Sequence, residues 1–451
     1  MKTPILQSLI VVLIVCFGSL QNAQAVLPSP TPDGGYPGNN TAEGTDALLS
    51  LTTGVGNTAD GWRALFSNTA GDENTANGFR ALFSNTTGNF NTANGSKALF
   101  SNTTGSFNTA DGFQALSRNT TGFSNTANGA SALFSNTTGV RNTADGTSAL
   151  FSNTTGSNNT ASGYQALENN TTGIYNMASG FFALQRNTTG EFNTAIGAGA
   201  LLFNTADENT ATGAAALLNN TTGSNNTAAG SGALFNNTTG AHNTANGDQG
   251  LSSNTTGNDN VALGFLAGNN QTTGNNNVYI GSNILGVAGE NNACYVASIF
   301  GQTSANGIPV LINSDNKLGT ATSSARFKRD IHDMDKASEA LFALRPVAFR
   351  YKKEIDPAGI SQLGLVAEDV ERVNPDLVVR DKEGKPYSVR YDQVDAMLLN
   401  EFLKEHRKVQ ELEANAAKQQ KQIAALAAGL QKVSAQLEVN KTAPQTALNN
   451  Q

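Results

Sequence analysis

The chain has 451 residues, of which 38% are hydrophobic and 14% charged, and a net charge of −7. That length allows two or three domains. The mild acidity excludes nucleic acid or an anionic membrane surface as an obvious partner.

Lys2, the apolar run LIVVLIVCFG and the small residues Ala23-Gln24-Ala25 have the order of an export signal peptide over residues 1–25. The apolar run is short, and wrongly flanked, for a membrane span. An uncleaved anchor is the alternative; a lipoprotein site at Cys16 is disfavoured by the bulky Val15 before it. The expected location is secreted or cell-surface. Once a leader is removed, Cys294 is the only cysteine left. No internal disulfide is then available, and stability has to come from packing or association. Cys294 reads as a small buried hydrophobe. A Pro/Gly-rich linker covers 26–39.

From Asn40 the chain repeats every 17 residues as NTAxGxxALFSNTTGxx, running through Asn57, Asn74, Asn91 and onward to Asn260, with a partial copy at Asn277. All fourteen full copies keep Ala at the third position and Gly at the fifth. Thirteen keep Leu at the ninth, and Gly268 replaces it in the last, as in a terminal capping repeat. One step, Asn193 to Asn209, has 16 residues and reads as loss of the glycine of the NTTG element.

Such a unit is too short for the two-helix repeats. Two glycine-ended NT elements suggest two short strands and two tight turns, hence one coil of a β-solenoid or β-roll over 40–281. Glycine supplies positive φ or close backbone approach, and asparagine tolerates the left-handed region. Stacking would place Ala and Leu in a thin inner ladder, with Asn and Thr hydrogen-bonding along the stack. The aromatic tenth position (Phe66, Phe83, Phe100, Phe134, Phe151, Phe235) needs a second burial surface, which argues for an oligomer. The composition resembles the left-handed β-roll heads of trimeric autotransporter adhesins.

A structural or adhesive shaft is the expected role, with any surface or glycan ligand left unnamed. Regularly spaced Thr also raises ice binding, but the variable fourth and sixth positions disrupt a regular face. A calcium-binding roll would need GGxGxDxxx repeats, which are missing. Six basic and thirteen acidic residues over 40–281 leave no stripe for nucleic acid. His242, His332 and His406 are isolated, so no metal site is expected, and no motif calls for a cofactor.

Between 282 and 322 the period fades into a β neck, where CYVASIFGQT and GIPVLINSDNKLG read as short strands, the second with hairpin chemistry. Then ASEALFALRPVAFRY predicts a helix ending before Pro346 and a strand after it. GLVAEDVERVNPDLV predicts an amphipathic helix stopped near Pro375. A long helix begins near Tyr391. Its apolar positions step by three and four from Val409 through Leu412, Ala416, Gln419, Ile423, Leu426, Leu430 and Val433 to Leu437, a coiled-coil seam over 409–438. Residues 439–451 form a disordered tail.

Residues 323–415 resemble the peptidase S74 family, the intramolecular chaperone domain that ends phage tailspikes, endosialidases and tail fibres. The resemblance lies in Ser323-Ser324-Ala325-Arg326-Phe327-Lys328 with Asp330-Ile331, then Gly364-Leu365-Val366-Ala367-Glu368-Asp369-Val370-Glu371. It continues in Asn374-Pro375-Asp376 and in Val389-Arg390-Tyr391 leading to Ala396-Met397-Leu398-Leu399. Glu368 departs from the commoner Gln. The resemblance implies Ser323 as nucleophile and Lys328 as general base, cutting the chain's own backbone within Thr322-Ser323-Ser324, either before or after Ser323. Lysine serves as a base only as the neutral amine, which burial or the nearby Arg326 and Arg329 would favour. It also implies a homotrimer. The expected fold class is therefore mainly β, a trimeric β-solenoid or β-roll shaft, followed by a small α+β chaperone domain and a C-terminal coiled coil. The expected function is an exported, self-cleaving fibre or adhesin. The alternative is a surface adhesin or stalk that retains the module only for trimerisation.

Overall fold

The computed structural model describes residues 36–302, 304–305 and 307–441. The expected signal peptide, most of the linker and residues 442–451 of the tail lie outside them. The described chain divides into two units, one up to residue 302 and one from residue 304.

In the first unit each repeat contributes one three-residue strand, from β1 at Thr41–Glu43 to β16 at Cys294–Val296, and the sixteen strands stack in sequence order into one parallel sheet. Thr58 pairs with Thr75, Ala59 with Ala76 and Asp60 with Asn77, so each repeat lies directly on the next. At the spacing of parallel strands, about 4.8 Å, the stack is roughly 70 Å tall. This is a β-solenoid shaft.

Strand alternation turns the Ala of each Thr-Ala-x inward and exposes its neighbours. The glycine after it ends the strand: Gly112 sits at φ +138°, and a Cβ there would lie 2.6 Å from the Gly129 carbonyl. The coil then bends through Ala-Leu, where the expectation of a second strand fails. Each ninth-position Leu from Leu48 to Leu251 has φ of 49–53°, in the left-handed region. That conformation costs a non-glycine residue about 1–2 kcal/mol. Burial of the leucine side chain offsets it, as does the inter-coil bond from Leu133 N–H to the Ala149 carbonyl at 3.0 Å.

The interior is half amide. Asparagines at the first and twelfth positions are buried as completely as the Ala and Leu beside them. Asn125 Nδ2 donates to Asn108 Oδ1 at 3.1 Å and to the Gly139 carbonyl at 2.9 Å. Its Oδ1 accepts from Asn142 N at 3.0 Å and Asn142 Nδ2 at 3.1 Å. In the second ladder Asn136 Nδ2 reaches Asn119 Oδ1 at 2.8 Å and the same Gly139 carbonyl at 3.0 Å. One glycine carbonyl thus joins the two ladders in every full coil of this pattern. Room, rather than φ, demands glycine here, since a Cβ on Gly139 would come 2.4 Å from Asn136 Oδ1 and from the Gly156 carbonyl. Outside them, Thr137 Oγ1 donates to the Thr154 carbonyl at 3.0 Å, and the same bond recurs along the threonine column.

Five of the six tenth-position aromatics stack within their own chain, Phe134 on Phe151 at 5.1 Å among them. Phe66, Phe83 and Phe100 stack at centroid distances of 5.1 and 5.2 Å and stay half-buried. The 16-residue step also differs from its sequence reading. Ala206 takes the glycine's place, its carbonyl accepting from Asn193 Nδ2 at 2.8 Å, and the missing residue is a threonine. The cost is local: Asn204 donates to Ala206, and Asn187 Oδ1 is left buried without a partner.

The solenoid continues one strand past the fading of the repeat. Tyr279 and Tyr295 occupy the inward position that Ala holds elsewhere, stacked at 5.7 Å. Cys294 is correspondingly exposed, not buried, because alternation points it outward. The fully buried Tyr279 ring fills the space that Gly268 vacates by lacking a leucine side chain; a Cβ on Gly268 would lie 2.6 Å from the ring. Burial, with Glu290 nearby, pushes the Tyr279 hydroxyl up to about 12.

In the second unit β17 (Val310–Ile312) and β18 (Leu318–Thr320) form the expected hairpin. A 3-10 segment, Asp335–Ala343, stands where a helix was expected, followed by β19 (Val347–Phe349) paired with β20 (Gln362–Gly364). Helix α1 (Ala367–Val373) ends before Pro375, β21 (Val378–Arg380) pairs with β22 (Pro386–Val389), and α2 runs for 51 residues from Tyr391 to Lys441. Val370, Leu377, Val378, Val389 and Met397 form its small core.

Two substitutions test the shaft. Asn125→Ala removes one acceptor that serves two buried donors, and should destabilise by on the order of 2 kcal/mol or more in thermal or denaturant unfolding. Gly268→Leu, which restores the repeat pattern, should destabilise alone because Tyr279 fills the site. Tyr279→Ala alone should cost about 3–5 kcal/mol. The double variant should recover most of both losses, a coupling that a double-mutant cycle reads directly.

Candidate functional site

The segment from Thr322 to His332 is an arm whose hydrogen bonds, ion pair and ring contact among the described residues are all short-range. Phe327 N–H donates to the Ser324 carbonyl at 3.1 Å and Lys328 N–H to the Ala325 carbonyl at 3.0 Å, closing one 3-10 turn over Ala325–Phe327. Ser323 precedes this turn and Lys328 follows it in extended backbone at φ −118°, ψ 151°. Both are exposed. The Arg326 guanidinium lies over the Phe327 ring at 4.5 Å, and Arg329 pairs loosely with Asp330 at 3.9 Å. Among the described residues no hydrogen bond joins Ser323 to Lys328. The single chain sets the two on either side of one 3-10 turn.

The body behind the arm is tied by two polar clamps. In the first, Asp369 at the start of α1 receives Arg345 at 2.6 Å and, on its other oxygen, Arg372. The Arg345 hydrogen bond, with the charges of Arg345 and Arg372, holds the Asp369 carboxyl below its usual range. In the second, buried Ser338 donates to Glu401, while Lys404 Nζ reaches Glu401 Oε1 at 2.6 Å, Ser338 Oγ at 3.2 Å and the Asp335 carbonyl at 2.6 Å. Asn400 Nδ2 adds a bond to Ser338 Oγ at 2.7 Å. Lys404, then Ser338, hold the Glu401 carboxyl below its usual range. This clamp fixes the 3-10 segment to α2. Ser338 and Glu401 lie 63 residues apart, so only the Glu401–Lys404 pair, one helical turn apart, left any trace in the sequence. Tyr391 has a role of its own, its hydroxyl accepting from Leu365 N–H at 3.0 Å and so joining β20 to α2.

Beyond the body α2 presents Val409, Leu412, Ile423, Leu426, Leu430, Val433 and Leu437 at 47–69% exposure. That row is the apolar seam read from the sequence. No helix among the described residues is long and apolar enough to cross a membrane.

Residues 323–379 match the peptidase S74 family model, described as chaperone of endosialidase. The match begins at Ser323 and spans the arm, both strands β19 and β20, and α1. Comparison with curated proteins and with solved structures gives no match. A β-solenoid shaft in one unit and an S74 chaperone segment in the other fit a tailspike-like or fibre-like architecture.

Both carboxylates are depressed in the folded state, so their clamps stabilise above the ordinary carboxylate pKa and lose that contribution as pH falls through the lower folded values. Melting followed by the helical circular-dichroism signal should therefore drop on acidification. Glu401→Gln should flatten the drop while lowering stability near neutral pH.

Proposed function

We propose that this is an exported homotrimeric fibre or adhesin whose C-terminal module drives assembly and then cuts the chain beside Ser323. The observation that carries the reading is the family match beginning at Ser323, with Lys328 one turn further on. The apolar seam of α2 supports assembly, since a coiled coil buries such a row against neighbouring copies. Family likeness supports the number three, and with it a surface or extracellular location, to which the signal-like N-terminus conforms.

In this mechanism Ser323 Oγ attacks a neighbouring backbone carbonyl carbon while neutral Lys328 takes the hydroxyl proton. The peptide C–N bond breaks, the departing amine receives the proton, and water hydrolyses the resulting ester. Attack on the Thr322 carbonyl proceeds through a five-membered ring as an N→O shift; attack on the bond after Ser323 is the other route. Assembly that covers the exposed Lys328 favours the neutral amine. Covalent release of the module after the shaft has stacked would leave the shaft kinetically trapped.

Mass spectrometry of purified full-length protein should show a cut within 322–324. Ser323→Ala and Lys328→Ala should abolish it, and Lys328→Arg should not restore it, because guanidinium stays protonated. Ser324→Ala should cut normally. Light scattering should give three copies per particle. Intact wild-type trimer would overturn the cleavage and leave a stalk that retains its trimerisation module.

A further inference from the structure

We propose that the arm carrying Ser323 and Lys328 docks, through Phe327 and Ile331, into an apolar groove on a second copy of the chain, so that the cleavage residues of one copy are seated on its neighbour. This rests on the reading that the chain assembles in several copies.

The groove lies within the second unit. Leu341 and Leu344 form one wall, Leu363 another, and Tyr391, Val394 and Leu398 of α2 a third, around about 640 Å³. It is open and strongly apolar: Leu363 is 86% exposed and Leu398 56%. The arm has the complementary character, with Phe327 60% and Ile331 69% exposed. Burying these four side chains against one another would remove apolar surface from water and favour docking.

Charge fits as well. Arg326, Lys328 and Arg329 make the arm cationic around Phe327. On α2 the exposed Asp395 stands four residues after Tyr391 and three before Leu398, on the same face as the groove wall, and the exposed Asp392 is next to Tyr391. Arg345, which follows Leu344, is already tied to Asp369. An incoming cationic arm would therefore meet apolar walls and, beside them on α2, the Asp392 and Asp395 carboxylates, which have no ion-pair partner among the described residues.

The second copy, rather than the arm's own body, is the occupant for a physical reason. In one chain the arm's hydrogen bonds, ion pair and ring contact all fall within residues 324–332, and the groove stands open. The helix seam is what brings further arms close. Seating also covers Lys328, so docking couples the cut to assembly.

The test uses the full chain with Ser323→Ala to hold it intact and with Cys16→Ser and Cys294→Ser to clear other thiols. Chains with one tag carry Phe327→Cys, chains with a second tag carry Leu398→Cys, and the two are co-expressed. A short bismaleimide should join the two tags, with a yield on the order of tenfold above assemblies in which only one chain carries a cysteine, because docking raises the local thiol concentration. Asp392→Lys with Asp395→Lys should lower that yield severalfold. Ile331→Cys with Leu363→Cys repeats the test should the first pair disturb folding. Multi-copy particles without inter-tag product overturn the docking alone. In a control, one chain carries both cysteines and is co-expressed with a cysteine-free chain; an efficient intrachain link there, with no inter-tag product in the main test, also overturns it. A monomer in light scattering overturns the assembly reading itself, and this proposal with it.

Discussion

The shaft depends on a carboxamide that can hand hydrogen bonds to its own kind. An asparagine side chain has two donors and an oxygen with two lone pairs. In the first-position ladder each is used: the donors go to the preceding coil's amide and to a glycine carbonyl, and the oxygen receives the following coil. Buried apolar residues alone would not fix the stacking, because Ala and Leu tolerate small slips with little penalty. A buried amide displaced from its neighbour loses its partners in a low-dielectric interior, where an unmade bond is most costly. The in-register pairing of Thr58 with Thr75, and of each later strand with the next, follows from that intolerance. So does the left-handed leucine, whose backbone strain is sustained because inter-coil bonds on both sides over-determine the turn.

The second unit is held by different means. Its core is small, and much of its apolar surface (the α2 seam, Leu363, Phe327) faces outward. A structure with this balance gains most from association. The pairing of such a module with a parallel solenoid has a folding logic. Sixteen near-identical strands offer many wrong registers, and parallel pairing is slow. A module that gathers copies first would lower the number of wrong starts.

Much of the shaft was legible in the sequence, because a strict period leaves few architectures and the invariant Ala and Leu mark the inner face. Asparagine was expected to hydrogen-bond along the stack and does so; what hydropathy did not reveal is that two of its columns are fully buried beside Ala and Leu. The second strand per coil was expected because NTTG resembles NTAxG, yet positive φ at Leu bends the chain there. Cys294 was assigned inward by its chemistry and is outward by strand parity. Ser323 and Lys328 were assigned by family resemblance, and in the single chain they flank one 3-10 turn with no hydrogen bond between them. The Ser338–Glu401–Lys404 clamp was invisible, since its members meet only through tertiary folding.

The replacement of one leucine by Gly268 and of one alanine by Tyr279 shows where interchangeability stops. Between Asn57 and that point, the 16-residue step apart, the coils meet their neighbours through the same asparagine bonds, so a 17-residue coil inserted or removed as a whole there would leave junctions of the kind already present. Such a shaft behaves as a molecular ruler. Its reach can change over generations in increments of one coil, about 4.8 Å each, while its tyrosine terminus and the module beyond stay as they are. A deletion of a single residue, by contrast, leaves the permanent mark seen at Asn187, an amide oxygen with nothing to receive.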